Sequence, residues 1–161
     1  MSHTIRVSAR AIVLHENAVL LNEFDNGLYY NFPGGGIEES ETAKQAVVRE
    51  VLEETGLTVD AGDLVFALEY EPKSCRGIYG GRAHISFFFR CDWNRSVASR
   101  GITEPDRNPE NPSVTSAVKW VKLADLPAIN LVPNIAKPLL DYSVTGSFTP
   151  SFWEECDHIE S

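Results

Sequence analysis

At 161 residues, 43% of them hydrophobic, the chain is long enough for one compact core. Fourteen Lys and Arg against twenty-three Asp and Glu leave a net charge of -9, which repels a nucleic-acid backbone, and no run of basic residues offsets it. No apolar stretch approaches the roughly 20 residues of a membrane span. Cys75, Cys91 and Cys156 form no CxxC pair, which argues against a disulfide framework or a zinc site. Because MSHTIRVSAR runs straight into a strand-like pattern with no apolar signal region, the expectation is one cytoplasmic domain over 1–161, with no nucleic-acid or membrane partner.

Along the chain, alternation of Val7, Ala9, Ala11 and Val13 with Arg6, Ser8 and Arg10 predicts a strand from Ile5 to Leu14. His15-Glu16-Asn17 turns it into Ala18-Val19-Leu20-Leu21 as a hairpin. Leu28 to Phe32 reads as a short aromatic strand feeding a tight loop at Pro33 and the three glycines that follow. Ser40 or Glu41 opens a helix that runs to Gly56, a C-cap in the left-handed conformation. Strands are expected over Leu64 to Glu71, Ala83 to Cys91 and Val114 to Val121. Asn94 to Ser113, polar and carrying three prolines, is expected as a long mobile loop. Ala124-Asp125-Leu126-Pro127 reads as a turn and Asn134 to Tyr142 as a second helix, with 143–161 an irregular tail. Strands mixed with two helices, without regular alternation, give an α+β or mixed α/β sandwich.

The helix carries the chemistry. At about 100° per residue, Glu50, Glu53 and Glu54 share one face, with Val48, Val51, Leu52 and Thr55 opposite. Clustered near the helix C-terminus, the three carboxylates repel one another and the negative end of the helix dipole, a cost that a cation offsets. Hard carboxylate oxygens suit Mg2+ or Mn2+, and a backbone carbonyl at Gly34-Gly35-Gly36 could approach closely because glycine lacks a Cβ.

Counting from Gly35, five residues lead to Glu41, seven more to Arg49-Glu50, and Val51-Leu52-Glu53-Glu54-Thr55-Gly56-Leu57 follows. This spacing resembles the Nudix box, G-x5-E-x7-R-E-U-x-E-E-x-G-U with U apolar, and the chain is thereby similar to the Nudix hydrolases. The resemblance implies an α/β/α sandwich with a mixed central sheet and the box as a loop followed by a helix. It further implies divalent-cation ligands at Glu50, Glu53, Glu54 and the carbonyl of Gly34, with Arg49 orienting the carboxylates and Glu41 bracing loop and helix. The implied reaction is attack of water on phosphorus in a nucleoside diphosphate linked to another moiety. Some subfamilies place the proton acceptor in a loop beyond the box, so Glu104 and Glu110 join Glu53 and Glu50 as candidate bases.

Arg6, Arg10, Arg76, Arg82 and Arg90 could each reach a phosphate, with Arg10 the most interesting because a charge on a central strand needs a partner. Tyr29, Tyr30 and Phe32 could stack on a base or fill the core, and His84 has no role beyond packing or a hydrogen bond. The candidate substrate-binding residues are Arg10, Tyr30 and Arg82. Pro72, fifteen residues after Leu57, resembles the proline of the ADP-ribose pyrophosphatase subgroup. ADP-ribose or another nucleotide sugar is therefore expected as substrate, with a (d)NTP of the house-cleaning type, or a catalytically silent ligand sensor, as the alternatives. A homodimer is left open.

Overall fold

The computed structural model describes residues 4–74, 80–106 and 115–154. Cys75, Arg76, Glu110 and Cys156, named above, lie outside them. In chain order the described residues form β1 (Arg6–His15), β2 (Ala18–Phe24), β3 (Tyr29–Asn31), β4 (Gly34–Gly36), α1 (Ala43–Thr55), β5 (Val59–Tyr70), β6 (His84–Trp93) and β7 (Thr115–Lys122). A 3-10 turn (Leu123–Ala128), β8 (Leu131–Val132), α2 (Ala136–Thr145) and β9 (Phe152–Glu154) follow.

The strands join in the order β8-β3-β2-β1-β6-β5-β9, with β4 added to β1 and β7 to β2. The sheet is mixed: β1 runs parallel to β6, whereas β5 and β6 are antiparallel. One face packs Ile12, Phe66, Leu68 and Phe88 against Leu139 of α2, and the other packs Ala9, Ala11 and Val13 against Val47 and Val51 of α1. Alternate residues of β1 thus serve opposite cores, as the two-residue strand period requires. A helix on each face of a mixed sheet gives the expected sandwich.

Three local expectations are corrected. The segment Gly34–Gly36, expected as a tight loop, is a strand whose register partners on β1 are Arg10, Ala9 and Ser8. Its glycines allow the pairing: a Cβ at Gly34, where φ is 147°, would sit 2.6 Å from the Arg10 Cα. The helix opens two to three residues later than expected, at Ala43, because Thr42 caps the Gln45 amide while the Gln45 side chain accepts from the Thr42 amide. In the tail expected to be irregular, β9 pairs with β5, driven by burial of Trp153 beside Phe66 and Phe148. The left-handed cap at Gly56, with φ 75°, is as expected. No helix among the described residues is long and apolar enough to cross a membrane.

Candidate active site

Helix α1 buries Ala46, Val47, Val51 and Glu54. The carboxylate face and the apolar face are therefore not opposed as expected: Val48, Leu52 and Thr55 are only half-buried, while Glu54 lies inside the packed stripe at 3% exposure. Its Oε2 accepts hydrogen bonds from the Asn22 side-chain amide at 2.9 Å and the Gly34 backbone amide at 3.1 Å. Burial, then the nearby charge of Asp106, pushes its carboxyl well above the usual range. Both hydrogen-bond partners are neutral.

Glu50 lies along β4 so closely that a Cβ on Gly35 would stand 2.6 Å from its Oε1. Burial raises its carboxyl too, against the lowering influence of Arg49. Arg49 is the hub of the cluster. Its Nε and one terminal nitrogen grip Glu41 at 2.7 and 3.0 Å, while the other terminal nitrogen donates to Glu50 at 3.0 Å and Glu53 at 3.2 Å. It also donates to the carbonyl of Gly36 at 3.2 Å, so a single planar guanidinium ties helix, loop and strand together.

The loop after β6 folds back over the end of the helix. Arg100 N–H donates to the Gly56 carbonyl at 2.7 Å, and the amides of Thr103 and Glu104 donate to the Glu53 carbonyl at 2.9 and 3.1 Å. These bonds occupy carbonyls that a helix C-terminus leaves open. Between loop and helix lies a cleft of about 460 Å³. It is lined by Gly34, Gly35, Glu50 and Glu54 from the strand and helix, by Arg6 of β1, and by Thr103 to Asp106 from the loop.

Of the residues expected to act, Glu50, Glu54, Gly34 and Glu104 line this cleft, with Arg49 and Glu53 tied directly to them. Arg10 lies beside it: a terminal nitrogen donates to the Phe32 carbonyl at 2.7 Å and stands 3.9 Å from Asp106. Its partner is thus partly backbone. Tyr30 is not among the lining residues; its hydroxyl donates to Glu23 at 2.7 Å and its ring packs on the core. Arg82 is exposed just before β6 and does not line the cleft either. His84 stacks on Tyr70 at 4.9 Å, and burial with the nearby Arg10 and Arg6 lowers its pKa to about 4, so it is neutral at pH 7.

The sequence reading missed Asp106, Asn22 and Asn31 and underrated Arg6. Asn22 carried a signal, a polar residue in the apolar run Val19-Leu20-Leu21, but its partner is 32 residues away. Asp106 carried none that separated it from the other acids of its loop.

The donor set fits a divalent cation: hard oxygens only, one buried carboxylate with neutral partners, and a glycine strand that lets main chain and carboxylate approach. Among the described residues no three acidic, His or Cys groups already converge on one point. Arg49 draws Glu50 and Glu53 toward itself, while Glu54 is held by the amides of Asn22 and Gly34.

Comparison with known proteins agrees with this geometry. The family model described as NUDIX domain matches residues 4–142. An Escherichia coli protein named 8-oxo-dGTP diphosphatase is 58% identical over 106 residues, covering 66% of this chain and 70% of that protein. An Erythrobacter litoralis protein named RNA pyrophosphohydrolase is 30% identical over 110 residues; the chain spans 65% of the length of that relative, and 65% of this chain is matched. A crystal structure of an ADP-ribose pyrophosphatase from Streptococcus suis superposes with a TM-score of 0.61 at 27% identity, covering 94% of this chain and 99% of that one. With the family model spanning most of the chain and the box residues brought together at one cleft, the chain belongs to the Nudix hydrolase family.

Proposed function

We propose that the chain is a divalent-metal-dependent pyrophosphohydrolase that splits the pyrophosphate bond of a nucleoside diphosphate linked to another moiety. The observation that carries this reading is Glu54, a buried carboxylate with neutral hydrogen-bond partners, facing a cleft it shares with Glu50. A buried acid so placed either stays protonated or takes a cation. Glu50, Glu53, Glu54 and the carbonyl oxygen of Gly34 are the groups that would hold Mg2+ or Mn2+. Once bound, the cation would offset the pyrophosphate charge and lower the pKa of water, so that loss of its proton gives a nucleophile for phosphorus.

The chain's own groups supply the rest. Arg49 holds Glu50 and Glu53 at fixed separation, and Glu41 holds Arg49. Arg6 adds a cation to the lining of the cleft, where an anionic phosphate needs one. The proton of the attacking water goes to a carboxylate, with Glu53, Glu50, Glu104 and Glu110 as candidates. Comparing Glu53→Gln, Glu104→Gln and Glu110→Gln at saturating metal identifies the base as the one whose rate falls most. In this reading residues 1–161 act as one domain on a small nucleotide in the cytoplasm.

ADP-ribose or another nucleotide sugar is the first substrate reading, supported by the Streptococcus suis relative. A (d)NTP, including an oxidised one, is the second, favoured by the 58% identity to the 8-oxo-dGTP diphosphatase. Incubation with ADP-ribose, UDP-sugars, dNTPs and 8-oxo-dGTP, with and without Mg2+, separates them. Metal-dependent release of a nucleoside monophosphate is expected. Tight binding without hydrolysis of any of them would instead identify a ligand sensor.

A further inference from the structure

Asn22 on β2 and Asn31 on β3 are register partners, so their side chains leave the sheet on the same face. That face looks toward α1, where the Asn22 amide donates to Glu54 at 2.9 Å. The Asn31 amide donates to Oδ2 of Asp106 at 3.1 Å. One cross-strand pair therefore holds two carboxylates from different elements, one on the helix and one on the loop, and both carboxylates line the cleft. Two acids sharing one cleft repel, and the loop acid has the freedom to turn away unless it is held.

The amides are oriented for the acids and not for themselves. Oδ1 of Asn22 and Oδ1 of Asn31 are both buried with no partner among the described residues. A buried acceptor without a partner is costly, and an apolar residue of similar shape would avoid that cost, so two asparagines here are poor choices for packing alone. Turning either amide over would set its oxygen against a carboxylate. What each contributes is one N–H aimed at one acid. Arg10, 3.9 Å from Asp106, holds the loop acid from a second side.

We propose that Asn22 and Asn31 are a pair of positioning residues that aim Glu54 and Asp106 into the cleft, so that Asp106 joins the helix carboxylates in contacting the divalent cation. The proposal rests on the metal-dependent reading above and assigns the loop's contribution to Asp106. Glu104 also lines the cleft, but its described tie is a backbone amide to the Glu53 carbonyl.

Binding of Mn2+ alone to the full chain, followed by the electron paramagnetic resonance of the free ion, tests this without nucleotide or turnover. Asn31→Ala and Asp106→Asn are each expected to weaken Mn2+ binding about tenfold, and the double variant no further than Asp106→Asn alone. Asn22→Leu should likewise weaken binding about tenfold, without adding to Glu54→Gln. Should Asn31→Ala fail to fold, Asp106→Asn, at a half-buried position on an otherwise exposed loop, still reads the loop acid's part. Unchanged Mn2+ affinity in Asp106→Asn, or losses that add in the double variant, would overturn the proposal while leaving the hydrolase reading intact. An unaltered chain that binds no Mn2+ would remove the metal-dependent reading and this proposal together.

Discussion

Two glutamates, Glu23 and Glu54, are almost equally buried, at 6% and 3% exposure, yet their surroundings are opposite. Glu23 receives the Lys119 ammonium at 2.5 Å and the Tyr30 hydroxyl at 2.7 Å, and these bonds hold its carboxyl below the usual range. Glu54 receives only amide donors and is pushed up by burial and by Asp106. The first is a finished ion pair that fixes β2 to β3 and β7. The second is an acid that makes no ion pair among the described residues, its carboxyl still raised although the charge of Arg10 opposes the shift, and it lies on the cleft. Burial alone does not single out a candidate functional acid; burial without a paired cation does.

The comparison can be broken by mutation. Glu54→Gln should lower turnover by at least about a hundredfold, because under the proposed function it removes a metal ligand while both amide partners remain close. Its melting temperature should hold or rise, since a desolvated charge is removed; a collapsed fold would show the acid to be structural. Arg49→Lys should cost about tenfold to a hundredfold in turnover, because an ammonium cannot grip Glu41 in two places and still reach Glu50 and Glu53. Turnover within twofold of the parent would remove Arg49 from its orienting role.

The pH dependence of stability should separate the two acids next. Glu54 has a folded pKa raised above the ordinary 4.5, so its contribution is full below that value and is lost as pH rises through the folded value. Adding Mg2+ should cancel this loss. Glu23 has a depressed folded pKa, so its contribution is present above 4.5 and is lost as pH falls through the folded value, and Mg2+ should not alter it. Melting curves across pH, with and without Mg2+, measure both; a metal effect that survives in Glu54→Gln at full strength would contradict the assignment. The smallest effect is expected for Glu23→Gln, about 1–2 kcal/mol in unfolding free energy with activity little changed, because Lys119 is half exposed and water screens the pair. A loss of turnover as large as that of Glu54→Gln would erase the distinction.

The legible part of the site was the helix. Its residues are bound to one another by the 3.6-residue repeat, so Glu50, Glu53 and Glu54 share a face wherever the helix packs, and Arg49 meets Glu53 at i,i+4. Spacing from Gly35 to Leu57 was enough for the family. Which way that face turned was not legible, because Glu54 sits in the buried stripe only after Asn22 and Gly34 supply its hydrogen bonds. Tyr30 shows the same dependence on distant partners. An aromatic beside a glycine run suggests base stacking, but Glu23 and Lys119, 96 residues apart, take its hydroxyl into a structural network.

Local periodicity, capping and turn chemistry determined the strands near the N-terminus, the Thr42-to-Gly56 helix and the acidic cluster, since each is fixed by residues within a few positions of one another. Tertiary structure alone decided that three glycines form a strand on β1, that Phe152–Glu154 closes the sheet edge, and that Asp106 meets Asn31. Those outcomes depend on pairings between distant segments, set by strand register and by which polar groups can find partners once water is gone.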